Sequence, residues 1–465
     1  MPLPKVAPII IAALPIPDNL TADQLFEYGK KILFGLLDRH IHVVSYACDG
    51  TEVERSVQRL YIQAADRVMR YTIKSPNKGL PDIELVIGIF RGVPIVMVQD
   101  SKHGLKTFRN NLFSGARLLS FGNFTAMYRR ICELAHEEGT PLYHRDVHKM
   151  DRQDDLAAAQ LFSGATMKFL TEHHPEYLGE IVYLFVFGEL IDAYQNHNIS
   201  HPERIKMALR ARYFVGYWRG YLSAAGYSET QYFISREATD ILQYLIDGLV
   251  SLVLVYQDHY KSEFPFFPWL HSSETCEHVF GEARQVVKDF TMLDFYYMLT
   301  KLRVKLREAA FHDKSPNFKA RANGYCHTYY DGKGAKALLM ATFPTDAEIE
   351  DVALQALEEC ESLISLLGLR PSVLQDRMAN RAPDVTLPNI ASWYPDGDLD
   401  EFEAQDNDSD YNDDGDESEN EAEVLQALMD RAEKNNLPTT EKQDEQLTRL
   451  ACAAVAITND DMARM

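Results

Sequence analysis

Three acidic residues stand where a carboxylate could take part in chemistry. The apolar run VVSYAC (43–48) stops at Asp49, and Gly50 follows, as when a buried strand delivers a carboxylate to the edge of a sheet. A second apolar run, VPIVMVQ, ends before Asp100, and Glu277 lies much farther along the chain. Divalent cations such as Mg²⁺ prefer carboxylate oxygens, so a metal site built on Asp49 is one interpretation. An ordinary Asp-Gly turn is the other.

The residues after Asp100 allow two interpretations. In VQDSKHGLKTFRNNL, Asp100 can cap a helix whose face carries His103, Lys106 and Asn110 at helical spacing. These side chains either support a site beside the strand end or form the basic surface of a capped helix.

The stretch HSSETCEHVFGEARQVVKDF (271–290) is an amphipathic helix by its spacing. Glu277, Gly281, Arg284 and Lys288 follow one border of its apolar stripe, and the glycine leaves open space above the backbone. A carboxylate beside a buried face suits a site acid, and a solvated row of charges has the same pattern.

Several familiar motifs are missing from the sequence. There is no HExxH, GxxxxGK[ST] or GxSxG, and DGKGAK (331–336) is typical of a turn. The His-rich stretch YHRDVHKMDRQDD (143–155) favours a polar loop or helix start over a metal site. The six cysteines lie far apart with no CxxC pair, which indicates a reduced, intracellular protein without a zinc knuckle.

The elements that must position these residues follow an α/β pattern. Strands are predicted at 8–14, at 41–49 and, as one or two strands, in ELVIGIF and VPIVMVQD, with a helix at 22–39. Helical periodicity then dominates from about 104 to 260, which favours a helical insertion. Further helices are predicted from near Ser273 to about 370. The N-terminal apolar run is interrupted by prolines and is too short to span a membrane.

The charge of the chain is concentrated in one segment. The 465 residues carry a net charge of −22, and 396–423 alone holds 15 acidic residues and no Lys or Arg; the rest of the chain carries −7. Residues 371–425 are therefore predicted to be disordered, with a short helix at 422–434. A mildly acidic body does not favour nucleic-acid binding, which usually needs basic stripes.

Taken in order, these motifs resemble a known family. A strand ending in CDG, then DxxHxxKxxRNNL, then KMxxxxxLAAAQLFS, then SExxEHxFGxxR is similar to P-element and THAP-type DDE transposases, over roughly residues 5–310. The resemblance implies an α/β, RNase H-like sheet interrupted by a large all-helical insertion. The expected units are 1–115 (strands 3 to 5), the insertion 116–265, 266–370 (the second part with a helical extension) and a tail at 371–465.

The resemblance also implies a site. Such enzymes hold two divalent metals with three carboxylates during DNA strand cleavage and joining. By the match, Asp49 and Glu277 are metal-binding acids for Mg²⁺ or Mn²⁺, and Asp100, His103, Lys106 and Arg284 support them. The first-strand aspartate of the family has no counterpart here, and Asp18 is wrongly placed to replace it. We therefore expect an incomplete sheet and a catalytically impaired, transposase-derived protein.

Other implied properties concern ligands and partners. The insertion of P-element-type enzymes binds GTP, and the matching residues here are Lys149, Asp192 and Glu274. The expected location is the nucleus, with weak DNA association, self-association and no membrane. A local basic patch is predicted from Lys102, Lys106, Arg109, Arg284, Lys288, Lys301, Arg303, Lys305 and Arg307.

Two alternatives remain open at this level. One is a non-catalytic helical interaction protein that docks a basic partner, such as a histone, through its acidic segment. The other is an unrelated metal-dependent hydrolase that uses Asp49, Asp100 and His103.

Overall fold

In this computed structural model, the described residues are 8–15, 20–77, 80–148, 151–260, 264–311 and 337–379. Asp18, Lys149, most of the predicted tail with its acidic segment, and the helix predicted at 422–434 lie outside them. The predictions about those positions therefore stay predictions.

The first part of the chain is a four-stranded mixed sheet with two helices. The elements are α1 (Ala22–Leu37), β1 (Ser45–Cys48), α2 (Glu52–Gln63), β2 (Arg67–Ile73), β3 (Ile83–Phe90) and β4 (Val93–Gln99). The strand order is β1-β4-β3-β2. β1 pairs parallel with β4, while β2, β3 and β4 form an antiparallel meander. The predicted helix at 22–39 and the strands around 45–48, 83–90 and 93–99 are confirmed.

One predicted strand is wrong. Residues 8–15 form no strand: Ile9 and Ile11 are exposed, while Ile10 and Ala13, which are three positions apart, are partly buried, and this is not the two-residue alternation of a strand. An extended segment becomes a strand only through hydrogen bonds to a neighbour, and none of the described strands pairs with this one.

The middle of the chain is mostly helical. It contains α3 (Ser101–Phe113), β5 (Leu119–Phe121), β6 (Phe124–Ala126), α4 (Tyr128–Leu134), α5 (His144–His148), α6 (Asp155–Leu161), α7 (Gly164–His173), α8 (Leu178–Gln195), α9 (His201–Ala225), α10 (Glu229–Tyr232) and α11 (Arg236–Val255). The β5–β6 hairpin corrects the prediction of an all-helical insertion.

The remaining described chain is helical. It contains α12 (Glu274–Val286), α13 (Met292–Phe311), α14 (Ala337–Met340), α15 (Asp346–Leu366) and α16 (Pro371–Ala379). The prediction of disorder from residue 371 is therefore wrong for α16, where Leu374 is buried in the main core. A π-helical turn (Tyr256–Tyr260) and a 3-10 turn (Pro268–Leu270) precede α12.

Most of the molecule shares one hydrophobic core. A continuous set of buried residues runs from Ile73 in the sheet to Leu374 in α16 and includes α8, α9, α11 and α15. α11 packs across β4, so the helical region lies directly on the sheet. α12 and α13 instead share a separate small core of Val279, Ala283, Phe295, Met298, Leu302 and Leu306.

One helical stretch is apolar enough to invite a membrane interpretation. Among the described residues, Arg236–Tyr260 alone has the length and composition of a membrane span. Its apolar window is 83% buried inside the protein, so core packing accounts for the apolar character.

Candidate functional site

The loop after β1 holds Asp49 at the edge of the sheet. Gly50 has a φ of +99°, and a side chain there would stand 2.2 Å from the Gln99 side-chain oxygen, so the turn requires glycine. Thr51 begins α2 with a capping box in which Glu54 accepts hydrogen bonds from the backbone N–H groups of Gly50 (3.0 Å) and Thr51 (3.2 Å). These contacts fix the backbone beside Asp49. The carboxylate of Asp49 is half-buried and remains partly accessible to solvent.

Asp100 directly follows the neighbouring strand β4, and both of its carboxylate oxygens accept hydrogen bonds. It is 3% exposed and caps α3 by accepting hydrogen bonds from the backbone N–H groups of Lys102 (2.8 Å) and His103 (3.0 Å). Its other oxygen accepts from the Ser272 hydroxyl and from the backbone N–H of Ser273 (3.1 Å). Burial raises the pKa of Asp100, but these donors outweigh it and hold that pKa below its usual range.

Two consecutive serines tie α12 to both strand ends. The Ser273 hydroxyl contacts Asp49 Oδ1, 224 positions away in sequence, and lies 3.1 Å from Asp100 Oδ2. Because β1 and β4 are parallel neighbours, their carboxyl ends meet at one edge, and α12 begins at that edge.

This arrangement brings Glu277 into the same site, one turn into α12. Burial is the largest cause of a rise in the Glu277 pKa to about 7, and the negative charges of Asp100 and Asp49 add to it, while Lys106 opposes it. The charge of Asp49 thus acts directly on Glu277, the other predicted acid. A residue coupled in this way in a polar cluster is a candidate functional group.

The surrounding charges are mostly paired. Lys106, 8% exposed, forms an ion pair with Asp155 at the start of α6 (3.1 Å), and Lys102 pairs with Glu274. Among the described residues, the Asp49 carboxylate has a single hydrogen-bond donor, Ser273, and the Glu277 carboxylate has none. These two carboxylates therefore have oxygens left to bind something else.

The donors suit a hard divalent cation, but they are few. Asp49 and Glu277 supply anionic oxygens of the type that Mg²⁺ and Mn²⁺ prefer, and the buried Glu274 Oε2 close by lacks a hydrogen-bond partner. Within the described parts of the chain, however, no group of three or more His, Cys, Asp and Glu side chains is arranged to hold a metal ion. A cation here would therefore have two carboxylates as ligands and would rely on water for the rest.

The other predicted site residues have varied positions. His103 lies half-buried beside Asp100 at the start of α3, and Arg284 is exposed on α12. Lys106 is buried, and the charges of Glu277 and Asp100 act on it; its supporting role stays a prediction. Asp192 lies on α8, where its charge acts on Arg204, and Glu274 pairs with Lys102. GTP binding by Lys149, Asp192 and Glu274 stays a prediction.

Two members of the predicted basic patch are not surface residues. Lys106 pairs with Asp155, and Arg109, 1% exposed, donates to the backbone carbonyls of Asp151 (2.6 Å) and Asp154 (3.0 Å). These cations hold α3 against the start of α6 because burying a charge requires such partners. The exposed basic residues of the predicted patch are instead Arg284 on α12, Lys288 just after it, and Lys301, Arg303 and Arg307 on α13.

Sequence reasoning missed Ser272, Ser273 and Asp155 as parts of the site. Ser272-Ser273-Glu274 precedes an apolar run and is typical of a helix start, and Asp154-Asp155 begins a predicted helix. The sequence therefore indicated that these residues cap helices. Their contacts with Asp100, Asp49 and Lys106 join segments that are far apart in the sequence, so they form only in the folded chain.

Comparisons with known proteins give one partial similarity. No protein-family model and no curated protein matches the chain. Among solved structures, the chain is similar to the Drosophila P element transposase strand transfer complex, with 14% identity and a TM-score of 0.45. The match covers 62% of this chain and 65% of that one, so it describes a partial likeness and carries no conclusion about activity.

Proposed function

We propose that this chain is a transposase-derived, DNA-associated protein that keeps part of a divalent-metal site. The observation that supports the proposal is that Ser273, at the start of α12, contacts Asp49, while the charge of Asp49 acts on Glu277, one turn into the same helix. The order of the motifs in the sequence supports the same function. DNA association makes the nucleus the expected location.

The metal site would be held by Asp49 and Glu277. When bound there, Mg²⁺ or Mn²⁺ would supply the electrostatic stabilisation that phosphoryl transfer in DNA requires. Asp100 has its oxygens occupied by helix caps and serines, so in the described chain it positions α3 and α12 rather than binding metal. With two available carboxylates, we expect strand cleavage to be weak or absent.

The DNA-contacting surface in this proposal is the outer face of α12 and α13. Residues 295–307 (FYYMLTKLRVKLR) contain four cations and no acid, and Lys301 and Arg303 are exposed. Tyr296 and Tyr297 are 66% and 76% exposed on the same helix, beside these cations. Exposed aromatic rings interleaved with cations suit the bases and phosphates of a nucleic acid.

The proposal is tested by duplex binding at different salt concentrations. We expect binding at about 50 mM salt that weakens steeply with salt, and the Lys301→Glu/Arg303→Glu variant should lose affinity and reduce the salt slope by about 2. The control variant, Lys31→Glu/Arg67→Glu, changes the net charge equally at exposed positions on α1 and β2. No binding at low salt, or an equal loss in the control, would overturn the proposed DNA contact.

A further inference from the structure

The Ser273 hydroxyl lies between two carboxylates. It contacts Asp49 Oδ1 and is 3.1 Å from Asp100 Oδ2. A serine hydroxyl carries one hydrogen, so it can donate fully to only one of these oxygens at a time. The two aspartates therefore compete for a single proton.

The competition is unequal. Asp100 Oδ2 also accepts from the Ser272 hydroxyl and the backbone N–H of Ser273, and Asp100 Oδ1 accepts from two further backbone groups. Among the described residues, the Asp49 carboxylate has the Ser273 hydroxyl as its single donor. The hydroxyl thus matters most to Asp49, while Asp100 remains satisfied without it.

We propose that the Ser273 hydroxyl restrains metal binding at Asp49, covering the Oδ1 oxygen in the metal-free chain and turning to Asp100 when a cation binds. This inference rests on the proposed metal site and adds the residue that regulates it. A hydrogen bond to a charged carboxylate stabilises the metal-free state, and a cation must displace it. Removing the hydroxyl frees the Asp49 oxygen while the four other donors to Asp100 remain.

Ser272 provides a matched control. Its hydroxyl donates to Asp100 and accepts from the backbone N–H of Glu274 (3.0 Å), and it makes no hydrogen bond to Asp49. Ser272→Ala therefore removes a hydroxyl from the same turn and the same Asp100 oxygen without freeing Asp49.

The test is calorimetric titration of the full chain with Mn²⁺. We expect Ser273→Ala to bind about tenfold more tightly than the unmodified chain, the change expected for one charged hydrogen bond, and Ser272→Ala to bind no more tightly. Ser273→Gly, which also removes the hydroxyl and adds no new metal ligand, should bind as tightly as Ser273→Ala. It also keeps the test decisive if the alanine variant does not fold.

The outcomes separate this inference from the proposed function. If the unmodified chain binds Mn²⁺ and neither Ser273 variant binds more tightly, the restraint is overturned and the metal site stands. If a Ser273 variant alone binds, the restraint is supported and the metal-binding function of the unmodified chain fails. Equal tightening in Ser272→Ala, or no binding by any variant, overturns the inference.

Discussion

Two aspartates at neighbouring strand ends have opposite environments. Asp100 is buried with five hydrogen-bond contacts, whereas Asp49 is half-buried with one, from a hydroxyl that it shares. A saturated carboxylate organises structure, and one with open oxygens can bind a ligand. The different roles proposed for Asp49 and Asp100 rest on these surroundings.

A third carboxylate, Glu180, sets an expected pH dependence. It is fully buried on α8, where it accepts from the Met127 backbone N–H (2.8 Å) and pairs with Arg130 (3.3 Å). Burial raises its pKa from 4.5 to about 7, and Arg130 only partly opposes the rise. The folded chain thus keeps a proton that the unfolded chain releases, so this contribution to stability is complete below pH 4.5 and is lost as the pH rises through 7.

The measurement is the free energy of unfolding in urea at pH 5 and pH 8. For the unmodified chain, we expect Glu180 to contribute a fall of about 2 to 3 kcal/mol between these values, and Glu180→Gln should lack that fall. Glu138→Gln, at an exposed position, is the control. Parallel curves for the unmodified chain and Glu180→Gln would contradict the prediction.

The candidate acids could be named from the sequence, but the residues that contact them could not. Asp49 and Asp100 each follow an apolar run, and Glu277 lies at the border of an apolar helical stripe. Ser273 lies 224 positions after Asp49 in the sequence, so the two meet only when the chain between them has folded. No local periodicity carries that information.

At the scale of elements, strong periodic patterns predicted structure and weak ones did not. α1 and the hydrophobic strands β3 and β4 follow directly from their residue patterns. β2 was missed because its sequence RVMRYTI is mostly exposed and contains two arginines. β5 and β6 have three residues each, too few for a pattern. Their hairpin forms because Gly122 adopts a φ of +59°.

Two glycines on helices should respond oppositely to alanine. A Cβ at Gly179 in α8 would stand 2.3 Å from the Thr125 carbonyl oxygen in β6, so Gly179→Ala must push the helix away. We expect a loss of about 2 to 3 kcal/mol in unfolding free energy. Gly281 in α12 has nothing within 4 Å of that position, so Gly281→Ala should gain about 0.5 to 1 kcal/mol.

Urea unfolding of both variants checks this prediction. The open space at Gly281 was anticipated from its place beside Glu277, and the structure confirms it. A Gly179→Ala variant as stable as the unmodified chain would show that α8 does not pack this closely on the β5–β6 hairpin.

At the scale of the whole molecule, the candidate site lies between two parts of the chain that pack around different hydrophobic cores. The strand ends and α3 belong to the sheet and the large helical core, while α12 belongs to a small separate core with α13. The contacts of Ser272 and Ser273 with Asp100 and Asp49 link the two parts. The position of Glu277 relative to Asp49 therefore depends on a few polar contacts at one edge of the sheet.

The most direct test of this account is Mn²⁺ binding by the unmodified chain, Asp49→Asn and Glu277→Gln, with Asp289→Asn as a control at an exposed position between α12 and α13. We predict weak binding of Mn²⁺ to the unmodified chain and to the control, and loss of that binding in each of the two site variants, because both carboxylates hold the same ion. Binding that survives either site substitution, or no binding to the unmodified chain, would contradict a shared metal site at Asp49 and Glu277.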